Sequence, residues 1–226
     1  MSAKETIKSL ASLENKILLA AFQEAFQGYE MQLTDRELLK MLQRRGFTPE
    51  LSFGAFSGDK LLAFTFNGTG SFNGQATAYD TGTGTLPEYR GKGLASRIFK
   101  HSIPHLKNAG ITRYLLEVLQ HNTQAVSLYQ KLGFKVSREF NYFTRNNFQL
   151  SQAAPVSKPE HCIKSIGLEN KEILRSFWNH QPAWQNSFDA VERAPGDFLI
   201  LGAYLQEKLV GYCIFEPGSG DITQIA

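Results

Sequence analysis

The sequence predicts an α/β fold of the α+β kind, a mixed and mostly antiparallel twisted sheet flanked by helices, followed by an incomplete second unit of the same design. Three observations predict it. Two helical stretches come first, then three β-like runs joined by short turns, then helix, strand, helix and strand, an order that excludes a doubly wound parallel sheet. The turns carry Gly, Asn and Asp, the chemistry of hairpins between antiparallel neighbours. Beyond residue 150 the opening of the chain returns: IKSIGLENKEIL repeats IKSLASLENKIL, and DFLILGAYLQEKLVGYCIF repeats LSFGAFSGDKLLAFTFN.

The elements follow in order. From Leu10 to Phe26, apolar residues recur at Leu10, Leu13, Ile17, Leu18, Ala21, Phe22, Ala25 and Phe26, which is helical spacing, and Gly28 ends it. Thr34-Asp35-Arg36-Glu37 is a capping box for a second helix that carries Leu38, Leu39 and Leu42 to Gly46. Phe26 and Tyr29 between them are expected to pack, with pocket lining as the alternative. LSFGAF and KLLAFTFNG form a hairpin through Ser57-Gly58-Asp59, and a Gly/Asn turn leads to a third strand over Ala76–Leu86. Its Thr81-Gly82-Thr83-Gly84-Thr85 centre is weak strand sequence, where glycine marks a bulge or a close backbone approach.

After Pro87 the chain turns through Arg90-Gly91-Lys92-Gly93 into a helix from Leu94 to Gly110, in which Pro104 predicts a kink or an early end. A strand over 114–119, a helix over 123–132 capped by Asn122 and ended by Gly133, and a strand over 134–143 complete the first part. His101 and His105, four apart, are expected on the solvent side of their helix. SQAAPVSKPE, at 151–160, has linker composition, so the predicted organisation is a domain over 1–150, a linker, and a partial repeat over 161–226. The aromatic residues Phe177, Trp178 and Trp184 are expected to form the repeat's core.

Composition excludes several classes. At 226 residues and 42% hydrophobic content the chain buries a sizeable core, and a net charge of +3 gives no case for nucleic acid. Residues 1–150 carry +6 and residues 151–226 carry −3, a basic surplus that suits a small polyanion. No apolar run is long enough to span a bilayer, and the N-terminus lacks a signal-peptide core, so no membrane partner and a cytoplasmic protein are expected. Cys162 and Cys213 have neither disulfide nor metal-ligand spacing, and no metal is expected.

The stretch 90–96 is shaped for phosphate. A helix start leaves N–H groups unpaired with partial positive charge, two glycines admit a ligand to the main chain, and Arg90 and Lys92 add formal charge. A Walker loop fails, because Gly91-Lys92 is followed by Gly93 and Leu86 stands where the first glycine belongs. The dinucleotide fingerprint fails at Ser96 and at the antiparallel strand before it. Arg90-x-x-Gly93-x-Ala95, preceded by Pro87 and followed by Asn122-x-x-Ala125-x-x-Leu128-Tyr129-x-x-Leu132-Gly133-Phe134, closely resembles the GNAT family of acetyl-CoA-dependent N-acetyltransferases.

The resemblance implies acetyl-CoA as co-substrate, no metal, and direct transfer to a primary amine of a small molecule or a protein N-terminus. It implies pyrophosphate on the main chain of Arg90, Gly91, Lys92, Gly93, Leu94, Ala95 and Ser96, and a pantetheine arm along Thr83, Gly84 and Thr85, where Thr/Gly replaces the family's usual Val-x-Val. Asn122 matches a cofactor-contacting position, and Tyr129 matches the tyrosine that protonates the departing sulfur and contacts the cofactor. Glu117 matches a strand glutamate that serves as base, with Asp80 on the bulged strand as the rival. Glu24, Glu30 and Asp35 stand where an acceptor amine would be gripped. The other reading is a non-catalytic acyl-CoA-binding or interaction module. The unfinished repeat also offers an open sheet edge suited to a second copy of the chain.

Overall fold

The computed structural model describes residues 5–29, 32–144 and 161–226. The chain divides into two compact units, Met1–Phe134 and Lys135–Ala226. The predicted linker over 151–160 and Glu30 lie outside the described residues.

The first unit contains β1 (Thr6–Ser9), α1 (Asn15–Ala25), α2 (Asp35–Arg44), β2 (Phe53–Ser57), β3 (Lys60–Phe72), β4 (Gln75–Thr85), α3 (Leu94–Asn108), β5 (Arg113–Leu115) and α4 (Thr123–Lys131). The sheet order is β1-β2-β3-β4-β5. The first four strands are antiparallel and β5 joins β4 in parallel. Burial on both faces explains the apolar runs over 53–56 of β2 and 61–64 of β3. On one face Leu18, Phe22 and Ala25 of α1 and Leu38 and Leu42 of α2 meet Phe56, Leu61, Phe64, Phe66 and Leu86. On the other, Leu94 and Ile98 of α3 cover Phe53, Ala55, Leu62 and Ala63.

Several expectations hold and others are corrected. Thr34 and Glu37 form the predicted capping box, each side chain bonding the other's backbone N–H. Asn122 caps α4 by accepting from the Ala125 N–H at 3.2 Å. Phe26 packs into the core as expected, whereas Tyr29 is 40% exposed. α1 starts at Asn15 rather than Leu10, because Leu10 is tied to β2's approach by its N–H to Ser52 O at 2.9 Å. α3 continues through Pro104 to Asn108, held on the sheet by buried residues on both sides of the proline. His101 and His105 are not both on the solvent side: their rings lie 5.2 and 5.0 Å from the buried Phe53 ring, and His101 is half-buried. The strand foreseen over 114–119 is only Arg113–Leu115, and 135–144, foreseen as a strand from 134, form no ladder with any described strand. A strand exists only through its partners, and among the described residues neither stretch has one there.

The second unit contains β6 (His161–Ser165), α5 (Lys171–Arg175), α6 (Phe188–Arg193), β7 (Leu199–Leu205), β8 (Lys208–Phe215) and β9 (Ile222–Ile225), in sheet order β6-β7-β8-β9. Trp184 and Phe188 are buried, and Phe177 and Trp178 pack on the core formed by Leu174, Phe188 and Tyr212.

The repeat read in the sequence extends to strand register. A bulge interrupts β2/β3 after Ala55 and β7/β8 after Ala203, and a second interrupts β3/β4 after Phe66 and β8/β9 after Ile214. These bulges align Phe64 with Tyr212, Asp80 with Ile222, Thr81 with Thr223 and Thr83 with Ile225. Gly54 and Gly202 are glycines for one reason. A Cβ there would lie 2.4 Å from Leu61 Cδ1 in the first copy and 2.8 Å from Leu209 Cδ1 in the second.

Candidate active site

The site is built on the irregular end of β4. Between Phe66↔Gly82 and Asn67↔Asp80, Thr81 is the extra residue of a bulge, and its hydroxyl donates to Phe66 O at 3.1 Å. Side chains on a regular strand alternate, which would put residues 80 and 83 on opposite faces. The extra residue resets the alternation and brings Asp80 and Thr83 to one face. On the other side of β4 the parallel ladder with β5 ends at Tyr79↔Leu115, so from Asp80 onward the two strands have separated.

Gly84 lies so close to its β3 partner and to α1 that a Cβ would be 2.5 Å from the Phe64 ring and 3.0 Å from Ala25 Cβ. Gly82 has ordinary room, with nearest contacts of 3.6 and 3.9 Å. The weak strand sequence therefore has two causes, a bulge at Thr81 and a close approach at Gly84.

Asp80 is 7% exposed and fully bonded. Its Oδ1 accepts from the Gly82 N–H at 3.0 Å, and its Oδ2 accepts from Thr83 Oγ1 at 2.9 Å and from the Tyr129 hydroxyl at 3.1 Å. Tyr129 comes from α4, and its ring stands edge-on to Phe99 and Phe134 at 5.7 and 5.8 Å. Tyr114 of β5 completes this wall, 5.6 Å from Phe99, with its hydroxyl donating to Asn67 Oδ1 at 2.5 Å. Removal from water pushes the Asp80 carboxyl up to about 6, against the hydrogen bonds from Thr83, Tyr129 and Gly82 that favour the ionised form. Burial and the adjacent carboxylate push the Tyr129 phenol far above its ordinary range, so it stays protonated at neutral pH.

The other foreseen residues have these surroundings. Glu117 lies two residues past the end of β5 and is exposed, accepting a hydrogen bond from Tyr79. Tyr79 is itself buried, which raises its phenol well above the ordinary value. Asn122 Nδ2 donates to the Tyr29 hydroxyl at 2.5 Å. Gly91 and Gly93 have φ of +75° and +73°, a conformation that favours glycine, and a Cβ at either would meet nothing within 4 Å. The first intrahelical bond of α3 is Arg97 N–H to Gly93 O, so the N–H groups of Leu94, Ala95 and Ser96 precede the ladder.

The Arg90 side chain turns inward. Its Nε donates to Thr85 O at 3.2 Å and its guanidinium reaches Ala25 O at 2.8 Å, bracing β4 against the C-terminal end of α1. Lys92 Nζ stands 4.7 Å over the Tyr89 ring. Among the described residues no cluster of His, Cys, Asp or Glu is arranged to hold a metal ion, and no helix is long and apolar enough to cross a membrane.

The sequence reading took Thr83 for its backbone alone and did not single out Thr65, Asn67 or Tyr114. The signal available was the paired threonines of β3 and β4, which the bulge turns to a common face with Asp80.

A mixed sheet splayed at a bulged central strand, with a glycine loop and helix start beside the opening, defines the acetyltransferase class of fold. The match to the Acetyltransferase (GNAT) family covers residues 15–134, and the chain belongs to that family. It is 30% identical over 97 residues, 42% of its length, to N-alpha-acetyltransferase 30 of Schizosaccharomyces pombe. It spans 65% of that relative, and 22% and 18% of two further acetyltransferase relatives. A putative acetyl transferase from Pyrococcus furiosus has the same fold at 18% identity with a TM-score of 0.53, over 63% of this chain and all of that one. The aminoglycoside N-acetyltransferase AAC(6')-Iy, solved in complex with CoA, aligns at 17% identity and a TM-score of 0.51, over 65% and 98% of the two chains.

Proposed function

We propose that the chain is an N-acetyltransferase that moves an acetyl group from acetyl-CoA directly to a primary amine, with its one catalytic site in a domain over residues 1–150 and a partial copy over 161–226. The observation that carries this reading is the hydrogen bond from Tyr129 to Asp80 at 3.1 Å, at the point where β4 and β5 part. The main-chain N–H groups of Leu94, Ala95 and Ser96 at the open glycine loop would hold the pyrophosphate, and the edge of Thr83–Thr85 that faces away from β3 the pantetheine arm, with Thr85 O already held by Arg90 Nε.

Asp80 rather than Glu117 is the proposed base. A carboxyl with a pKa of about 6 is ionised at pH 7 yet holds a proton far better than an exposed carboxylate. As the amine nitrogen bonds to the acetyl carbon, Asp80 accepts the nitrogen's proton. Once protonated, Asp80 donates to the Tyr129 oxygen instead of accepting from it, which frees the phenolic proton for the departing sulfur. The carbon–sulfur bond breaks, one proton has passed from nitrogen to sulfur, and a proton shift along the same hydrogen bond restores both residues.

The acceptor is proposed as a small-molecule amine or an N-terminal amine, since one relative in sequence is an N-alpha-acetyltransferase and one structure of the same fold is an aminoglycoside N-acetyltransferase. Isothermal titration with acetyl-CoA, followed by assays against aminoglycosides, polyamines and short peptides, tests the reading. Failure to bind acetyl-CoA at millimolar concentration overturns it. Binding without transfer to any of these amines would favour a non-catalytic acyl-CoA-binding module.

A further inference from the structure

Asp80 is surrounded from four elements and one loop. Thr83 and the Gly82 N–H lie on its own strand, and Asn67 and Thr65 on β3. Tyr114 of β5 and Tyr129 of α4 interact with it electrostatically, as do Tyr79 and Arg45, the latter just beyond α2. Of these, two hydroxyls reach the same carboxylate oxygen, Tyr129 at 3.1 Å and Thr83 at 2.9 Å. Thr83 is in turn 3.1 Å from the Thr65 hydroxyl across the ladder, so it stands in a chain of side chains running from β3 to the proposed base.

The second unit is an internal control. Its strands retain what the fold requires: a bulge at the same two places, Thr223 where the first unit has Thr81, and a glycine at 202 where the first has Gly54. The polar triple is not retained. Asp80, Thr83 and Thr65 correspond in register to Ile222, Ile225 and Cys213, and both isoleucines are exposed, at 61% and 72%. A bulged strand of this kind thus forms without the triple, and a threonine at position 83 answers to something other than sheet formation.

We infer that Thr83 is a positioning residue of the site, its hydroxyl holding Asp80 Oδ2 in line with the Tyr129 hydroxyl. Without it, the carboxylate loses the bond that fixes its rotation and keeps its second donor at the oxygen that takes the proton. This role deepens the acetyl-transfer reading above and depends on it for the kinetic part of the test only.

The test compares Thr83→Val, which keeps the shape and removes the hydroxyl, with Thr83→Ser, which keeps the hydroxyl. The first measurement needs neither acceptor nor acetyl-CoA: the Asp80 carboxyl carbon is titrated by NMR in the wild-type chain and both variants. The valine variant is expected to titrate at higher pH than wild type and the serine variant close to wild type. The second is the rate of acetyl transfer to an amine found active in the acceptor screen. Here Thr83→Val is expected to lower kcat by ~10-fold and move the acidic limb of the profile upward, with KM for acetyl-CoA within about twofold. An unmoved Asp80 titration in Thr83→Val overturns the inference. So does a serine variant that behaves as valine, or a defect confined to KM for acetyl-CoA. If no amine is acetylated at all, the acetyl-transfer reading fails, and the titration alone decides the role of Thr83.

Discussion

Tyr129 on α4 donates its hydroxyl to Asp80 Oδ2 on β4 at 3.1 Å, across 49 positions of sequence. The bond joins a group that remains protonated at neutral pH to one that titrates near it, and the first prediction concerns the phenol. Tyr129→Phe removes the proposed acid while keeping the ring between Phe99 and Phe134. Turnover is expected to fall by ~10²-fold with KM for acetyl-CoA little changed. Steady-state kinetics at saturating acceptor measure this, and an unaffected kcat removes Tyr129 from proton transfer.

Asp80→Asn is expected to lower turnover by ~10²–10⁴-fold, and Glu117→Gln by less than about tenfold. The wild-type rate should fall as pH drops through about 6, where the base becomes protonated. A pH–rate profile on all three proteins checks both statements. A larger loss in Glu117→Gln than in Asp80→Asn would make Glu117 the base.

The same carboxyl makes stability depend on pH in a definite sense. Its native pKa of about 6 lies above the ordinary value of 3.8, so the native state holds a proton that the unfolded chain releases between those limits. Stability from this group is therefore full below about pH 4 and is lost as pH rises through about 6, to the extent of roughly 3 kcal/mol. Asp80→Asn should abolish that slope and be the more stable protein at pH 7, by about 1–3 kcal/mol. Urea denaturation at pH 4.5 and 7 reads the difference, and parallel curves for the two proteins would contradict it.

Gly84→Ala forces a methyl to 2.5 Å from the Phe64 ring and 3.0 Å from Ala25 Cβ, whereas Gly82→Ala finds 3.6 Å or more. The first is expected to cost about 1–3 kcal/mol and the second under about 1 kcal/mol. Thermal unfolding of the pair distinguishes close packing against Phe64 and α1 from a general dislike of side chains on β4.

Arg90 braces main-chain oxygens of β4 and α1 with its side chain. Arg90→Ala is expected to lower stability by about 1–2 kcal/mol, because one of these charge-assisted bonds is exposed and the other half-buried. Its effect on KM for acetyl-CoA should be small beside that of Gly93→Val, which forces a β-branched residue to φ near +73° at the start of α3. A large KM effect from Arg90→Ala, without loss of stability, would instead assign its side chain to phosphate.

Much of this was legible locally. Thr34 and Glu37 specify a helix start through bonds three residues apart, and Asn122 does so through its own side chain. The repeated segments announced two related sheets, and Gly91 and Gly93 announced an open turn into a helix. The strand expected over 134–143 failed because local propensity cannot report whether a partner edge exists. Thr6–Ser9 became a strand for the opposite reason, since its only strong signal is pairing with β2. The resemblance put Glu117 ahead of Asp80 as base, and the proposed reversal rests on the burial of Asp80 and its contact with Tyr129, which are long-range facts.

By itself the sequence determined the family, the order of elements, the glycine loop and the tyrosine at position 129, all of which rest on residues close together in the chain. Only the tertiary structure decided which carboxylate Tyr129 meets. That outcome follows from one extra residue, Thr81, which turns Asp80 and Thr83 to a common face, and from the packing that removes Asp80 from water. Neither the change in alternation nor the desolvation is a property of residues in sequence; both arise when β3, β4 and α4 are brought together.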